Sequence, residues 1–239
     1  MARIVTNTSA ITSYKNYSRA NLGMASSAEK LASGLRINRA SDDPAGLAIS
    51  EMMRGQIKAA NMKIENNANQ NSAINTADGY LQSVSDILGR MEELATEYAD
   101  PTKTTTDKAN LSAEFTALQT QITSIGNATF NGQNLWTVVG ATAPTSGASI
   151  DDVSSVESEI TSNSTLRGTL GATQSGLNYE LVGLENYSEN LAAAEGRIRN
   201  TDMAKEATTF SKFQILSQSA LAMVGQANAM SQSVLRLLG

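Results

Sequence analysis

A chain of 239 residues with no cysteine and no histidine has neither disulfides nor thiolate metal sites, and it lacks the commonest general base and transition-metal ligand. Aromatic residues are 5% of it, too few for a broad globular interior, whereas Ala, Ser, Asn and Thr suit thin helix-on-helix interfaces. The net charge of −5 is uneven, with six Lys/Arg against Glu29 in residues 1–40 and an acidic stretch at 41–200. The basic residues stand singly in a helical pattern, which argues against a nucleic-acid arm.

The first ten residues hold no apolar run and no cleavage pattern, so no ordinary signal peptide is expected. A helix follows with a seam of Tyr14, Tyr17, Asn21, Met24, Ala28, Leu31 and Leu35, ending near Gly34. Asn38 to Asp43 read as a turn. Asp43 before Pro44 is an N-cap followed by Pro at the first helical position. A second seam then runs through Met53, Ile57, Ala60, Ile64, Asn67, Asn71, Ile74, Asp78, Leu81, Val84, Leu88, Met91, Ala95 and Tyr98, until Pro101 stops it. A helix over that span is roughly 80 Å long. Two readings stand for Asn67, Asn71 and Asp78: they fix register as buried polar positions do, or the face drifts and they are solvated.

Lys103 to Asp107 read as a polar turn, and Leu111, Phe115, Leu118, Ile122 and Ile125 as a third helix ended by Gly126. Phe130-Asn131-Gly132-Gln133 is a strong hairpin signal, Leu135–Val139 reads as a strand, and Gly140–Gly147 as a loop. Ser149 and Asp152 have capping-box spacing ahead of a fourth helix carrying Val153, Val156, Ile160, Leu166, Leu170, Leu177, Leu181, Leu184, Tyr187, Leu191, Ala194 and Ile198. After a break near Asn200–Asp202, a final helix carries Leu216, Ala220, Met223, Ala227, Met230, Val234 and Leu237 on one face.

Residues 213–235 hold no charge, yet nine Gln, Asn and Ser side chains make them too polar for lipid. A buried protein–protein helix is expected there, covered by the other end of this chain or by another copy. The adjacent carboxylates Asp42-Asp43, Asp151-Asp152 and Glu92-Glu93 do not converge on one substrate, because neighbours i, i+1 on a helix diverge. No catalytic, cofactor or metal site is expected. The expected fold is mainly α: an elongated antiparallel helical bundle or coiled coil with a small β-hairpin at its outer end.

Several motifs in order resemble bacterial flagellin. Leu31-Ala-Ser-Gly-Leu-Arg-Ile-Asn38 followed by Ser41-Asp-Asp-Pro-Ala-Gly-Leu-Ala-Ile-Ser50 is similar to that family's LSSGLRIN…DDAAGLAI signature, with Pro44 where Ala is common. Phe130-Asn131-Gly132, Leu170-Gly-Ala-Thr-Gln174, Arg197-Ile-Arg-Asn-Thr-Asp202, Ser211-Lys-Phe-Gln-Ile-Leu216 and Ala227-Asn…Val234-Leu-Arg-Leu-Leu238 continue the resemblance across nearly all of the chain outside 137–149.

The resemblance implies a secreted subunit that self-polymerises into the extracellular flagellar filament for motility; the alternative is a hook–filament junction protein. It implies an inner core domain from 1–43 and 201–239, and a rod-like helical domain at 44–200 with the hairpin and loop at about 127–149. The large variable outer domains of longer flagellins are absent. The ends are implied to be disordered in the free monomer and to fold on polymerisation. Implied partners are further copies in a homopolymer, a type III export apparatus and export chaperone, and hook-associated and cap proteins, with no nucleic acid and no membrane embedding. Self-assembly is assigned to Tyr14, Tyr17, Met24, Ala28, Leu31, Leu35, Leu216, Ala220, Met223, Ala227, Met230, Val234 and Leu237. Family flagellins are also read by a vertebrate immune receptor, and the matching positions here are Arg90, Leu94 and Glu114, with Glu92 departing from the usual basic residue.

Overall fold

The free backbone groups at the helix ends are satisfied locally, and that punctuation sets the element order. The computed structural model describes residues 6–238, with side chains described as far as Ser233 apart from Ser231. Helix α1 (Thr8–Ser33) starts where Asn7 accepts the Ala10 N–H and stops at Gly34, whose left-handed φ of 70° lets its N–H reach the Lys30 carbonyl. Helix α2 (Pro44–Tyr98) starts where Asp43 accepts the Gly46 N–H; Pro44 has no N–H to satisfy there. Helix α3 (Thr105–Gly126) opens on a reciprocal capping box between Thr104 and Asp107, within the stretch expected only as a polar turn.

A two-residue turn at Asn131-Gly132 joins β1 (Thr129–Phe130) to β2 (Gln133–Asn134) as an antiparallel hairpin. Asn131 has φ 51° and Gly132 φ 76°, the left-handed pair that Asn-Gly supplies. The expected strand at Leu135–Val139 is instead a short helix, α4 (Leu135–Val139). Asn134 caps it by accepting the Trp136 and Thr137 N–H groups, and Gly140 closes it at φ 70°. Leu135, Trp136 and Val139 all bury. Positions i, i+1 and i+4 share a helix face but not a strand face, so burial selects the helix over the β-propensity of the run.

Helix α5 (Val153–Arg199) is capped by Asp152, which accepts the Ser154 N–H; Ser149 pairs with Asp152 in an isolated bridge and donates its N–H to Ser155 Oγ. The capping role expected for Ser149 therefore passes to Asp152. Helix α6 (Met203–Leu238) starts where Asp202 accepts the Ala204 and Lys205 N–H groups. Among the described residues the fold is thus a mainly helical bundle with one small hairpin.

The chain divides into two compact units, residues 1–57 with 189–239, and residues 58–188. The second unit holds the continuous apolar core. There α2 contributes Leu81, Val84, Leu88, Met91 and Leu94, α3 Phe115, Ile122 and Ile125, α4 Leu135 and Trp136, and α5 Val156, Leu170 and Leu177. Where α2 and α5 run as a pair, polar contacts set their antiparallel register: Asn61 with Ser188, Asn71 with Asn178, Asn75 with Gln174, Gln82 with Arg167, and Ser85 with Asn163. Partner numbers fall on α5 as they rise on α2, one for one from Asn61 to Gln82. Asp78 accepts from Arg167 at 2.8 Å, and Asn67 is buried. Of the three polar seam positions, then, Asn67 is buried, while Asn71 and Asp78 bond across to α5 at the half-exposed edge of the pair, so a shift of one residue breaks the rungs.

The first unit is thin by comparison. Ala20, Ser27, Ile37 and Ser50 are its buried residues besides Gly46 among those described. It consists of α1 against α6, with the adjoining turn and the nearby ends of α2 and α5.

Candidate assembly surface

The α1–α6 contact sets small side chains beside a few large ones. On α1 the residues turned from solvent include Ala10, Ser13, Tyr17, Ala20, Met24, Ser27 and Leu31; on α6 they include Phe213, Ser217, Ala220, Val224 and Ala227. Both sets repeat at alternating three- and four-residue steps, the spacing of a two-helix seam. The pair runs antiparallel, with Asn7 Nδ2 donating to the Ala227 carbonyl at 3.0 Å and Leu35 bridging Asn200. Gly23 fits the Phe213 ring: a Cβ there would come within 2.6 Å of it. Small residues let the helix axes approach closely, and a bulky line would hold them apart.

This geometry separates the expected seam residues into two sets. Tyr17, Met24, Leu31 and Leu35 are half-buried, as are Ala220 and Ala227. Tyr14, at 63% exposure, and Ala28 face away. Leu216, Met223 and Met230 also stand exposed, at 45%, 60% and 63%. Val234 and Leu237 lie outside the residues whose side chains are described. The face of α6 turned to α1 is thus rotated about one residue from the line of largest side chains. Phe213, Gly23, Ser217 and Val224 carry contacts that the heptad reading passed over; the run of small residues on α1 was the signal for them.

The exposed large side chains concentrate in this unit. Among the described residues, sixteen large apolar residues stand exposed and eleven of them belong to it, including Ile11, Tyr14, Leu22, Ile215, Leu216, Leu221, Met223 and Met230. Single exposed apolar residues need no explanation, but an apolar surface on both members of a thin helix pair marks an interaction face.

Residues 4–139 match the model of the bacterial flagellin N-terminal helical region, and residues 153–238 that of the bacterial flagellin C-terminal helical region. The chain belongs to the bacterial flagellin family. It is 36% identical to the flagellar filament 33 kDa core protein of Treponema phagedenis, over 97% of this chain and 98% of that one. It is 39% identical to a flagellin of Halalkalibacterium halodurans over 88% and 90% of the two chains, and 35% identical to the flagellin of Bacillus subtilis over 99% of each. As a flagellin it is a structural subunit of a flagellar filament, and these matches do not favour the junction-protein alternative. No helix among the described residues is long and apolar enough to cross a membrane.

Much of the flagellin motif between α1 and α2 has a structural role. Leu35 and Arg36 pair with the end of α5: the Arg36 N–H donates to the Arg199 carbonyl, and its guanidinium to the Ile198 carbonyl. Ile37 is buried against Gly46, where an added Cβ would meet Ile37 Cδ1 at 2.9 Å and Asp43 Oδ2 at 2.4 Å. The adjacent carboxylates that invited a catalytic reading take up backbone donors: Asp42 accepts the Asn38 and Arg39 N–H groups, and Asp43 caps α2. Glu51 accepts from Arg199 at 3.0 Å across the pair.

Those bonds make the turn acid-sensitive. The Arg39 and Asn38 N–H groups hold the Asp42 carboxyl below its ordinary 3.8, and the Arg199 guanidinium lowers Glu51 likewise. A lowered folded-state pKa means the contribution is present above the unfolded value and lost as pH falls through the folded one. Amide hydrogen exchange at Asn38 and Arg39 should therefore stay slow, relative to intrinsic rates, down to about pH 4 and speed up below it. Protection of both amides unchanged at pH 2 would contradict this account.

Of the three positions matched to receptor contact, the structure joins two. Arg90 bonds Glu114 and Glu93, both at 2.9 Å, and those carboxylates raise its pKa further above the ordinary value. Leu94 is wholly buried in the core and offers no side-chain surface to a partner, because its place on α2 faces the apolar cluster with Met91 and Ala95.

Proposed function

We propose that polymerisation is the activity of this chain, and that Tyr14, Leu216, Met223 and Met230, with Ile11, Leu22, Ile215 and Leu221, are covered by equivalent helices of neighbouring copies. The observation that carries this reading is the concentration of exposed large apolar side chains on a unit too thin to bury them itself. Tyr17, Met24, Leu31, Ala220 and Ala227 act within the subunit, holding α1 to α6 so that the outer faces are presented together. Ala28 and Leu35, with Val234 and Leu237, remain assigned to assembly by the family resemblance. On this reading the subunit passes unfolded through a type III export apparatus, escorted by a chaperone, and joins an extracellular filament beside hook-associated and cap proteins.

The test is a chain lacking residues 216–239. It should form no filaments in electron micrographs, while circular dichroism still shows a cooperative melt from the 58–188 core. Normal filaments from that truncation would overturn the proposal.

A further inference from the structure

The second unit contains a cleft of about 810 Å³ between α5 and the loop at 140–145. Val84, Leu88, Ile122 and Leu166 give it an apolar lining, and Glu159 and Asn163 line it one helical turn apart on α5. Glu159 Oε1 accepts the Gly147 N–H, but its Oε2 is buried with no partner. Asn163 is only 6% exposed; its Nδ2 donates to the Leu81 carbonyl and to Ser85 Oγ, and its Oδ1 is also buried with no partner. Two neighbouring acceptors, one of them charged, thus lack donors, and no Lys or Arg lines the cleft. Buried acceptors without donors are uncommon and call for a cause. The chemistry that fits is a cation on an apolar stem.

We propose that the cleft receives a lysine side chain from the second unit of a neighbouring copy, either Lys58 or Lys63. The proposal rests on the filament reading above, in which copies lie side by side. Residues 58–188 carry six Lys/Arg against fifteen Asp/Glu, so two such surfaces repel unless cations bridge them. Of the six, Arg90, Lys103 and Arg167 are held in ion pairs and Lys108 sits over the Tyr98 ring. Lys58 and Lys63 stand exposed on α2, and no ion pair engages either among the described residues. Neither reaches the cleft of its own chain. Asn61 meets Ser188, which places these lysines roughly 40 Å along α5 from Glu159 at about 1.5 Å per residue. Because both orphan oxygens are shielded from water, the 140–147 loop yields as the ammonium enters.

Glu159→Gln keeps an acceptor for the Gly147 N–H and removes the charge. It should raise the critical concentration for polymerisation roughly tenfold, as loss of one desolvated charge pair does, without lowering the melting temperature of the monomer. The chain has no native cysteine, so Glu159→Cys paired with Lys58→Cys or with Lys63→Cys reports the contact directly. The reach of a lysine to a glutamate is too long for a disulfide, so filaments of one pair treated with a short bifunctional maleimide should yield a cross-linked ladder on denaturing gels, and treated monomers none. Wild-type assembly by Glu159→Gln, or no ladder from either pair, overturns the cleft contact while leaving the filament reading intact. Failure of the unaltered chain to polymerise overturns the filament reading, and this proposal with it.

Discussion

Replacing Leu216, Met223 and Met230 together with Asp should abolish filament formation and leave the helicity and melting of the monomer at their unaltered values. The three side chains lie seven residues apart on one line of α6, and all are exposed. Within one chain, therefore, the change adds charge only to a solvated surface, where single substitutions shift stability by about 0.5 kcal/mol or less. On the proposed reading the same line is covered in a filament, and each carboxylate loses its hydration there, at an effective cost of several kcal/mol per ion. Three such costs exceed what subunit concentration can offset.

The control is Ala220→Asp with Ala227→Asp. These two residues share the predicted heptad seam but face α1, so they should part α1 from α6 in the monomer itself. Sedimentation and electron microscopy score assembly, and circular dichroism scores the monomer. If the triple variant polymerised normally, the outer line of α6 would not be an interface.

That contrast also marks how far the sequence could be read. The long seam of α2 turned inward as its periodicity indicates: every one of its fourteen positions from Met53 to Tyr98 is buried or half-buried. Large side chains dominate there, so hydrophobicity and burial coincide. On α6 they part company. The heptad line of Leu216, Met223 and Met230 has the greatest apolar volume, but the partner helix offers Ala20, Gly23 and Ser27, and close approach of small surfaces wins over volume. Periodicity gives the angle between residues on a helix. It does not give which of two adjacent faces meets the neighbour in the same chain and which waits for another.

The misread strand at Leu135–Val139 has a different origin. β-Propensity favoured a strand, and what decided against it was the Asn134 cap and a tertiary demand that Leu135, Trp136 and Val139 all face the core. The capping box at Thr104–Asp107 was legible, since its spacing is in the sequence, but it sat inside a polar run that hid it. The Glu159–Asn163 cleft was not legible at all. It depends on the 140–147 loop folding back, with the Pro144 carbonyl against Gly126, where an added Cβ would come within 2.5 Å.

Trp136→Ala should destabilise the second unit by about 3–5 kcal/mol, the range for emptying a buried aromatic site. Trp136 is among the largest wholly buried side chains, and it touches the core where α3, the hairpin and α4 come together. Its indole N–H donates to the Ile125 carbonyl at 3.1 Å. That carbonyl lies in the last turn of α3 and also accepts the Ala128 N–H at 2.9 Å. The substitution thus opens a cavity and removes one of the hydrogen bonds to that carbonyl at the same place.

Trp136→Phe separates the two effects. It keeps most of the apolar volume and loses only the donor, so it should cost about 0.5–1.5 kcal/mol, the net worth of one hydrogen bond to an acceptor that keeps the Ala128 N–H. Because Trp136 is the sole tryptophan, fluorescence vanishes with it, and urea melts followed by circular dichroism are the measurement. The α1–α6 pair does not involve this site, so both variants should still form filaments in the cold and lose them at a lower temperature than the unaltered chain. Equal melting of Trp136→Ala and the unaltered chain would mean that the hairpin and α4 are not held to the core by this residue.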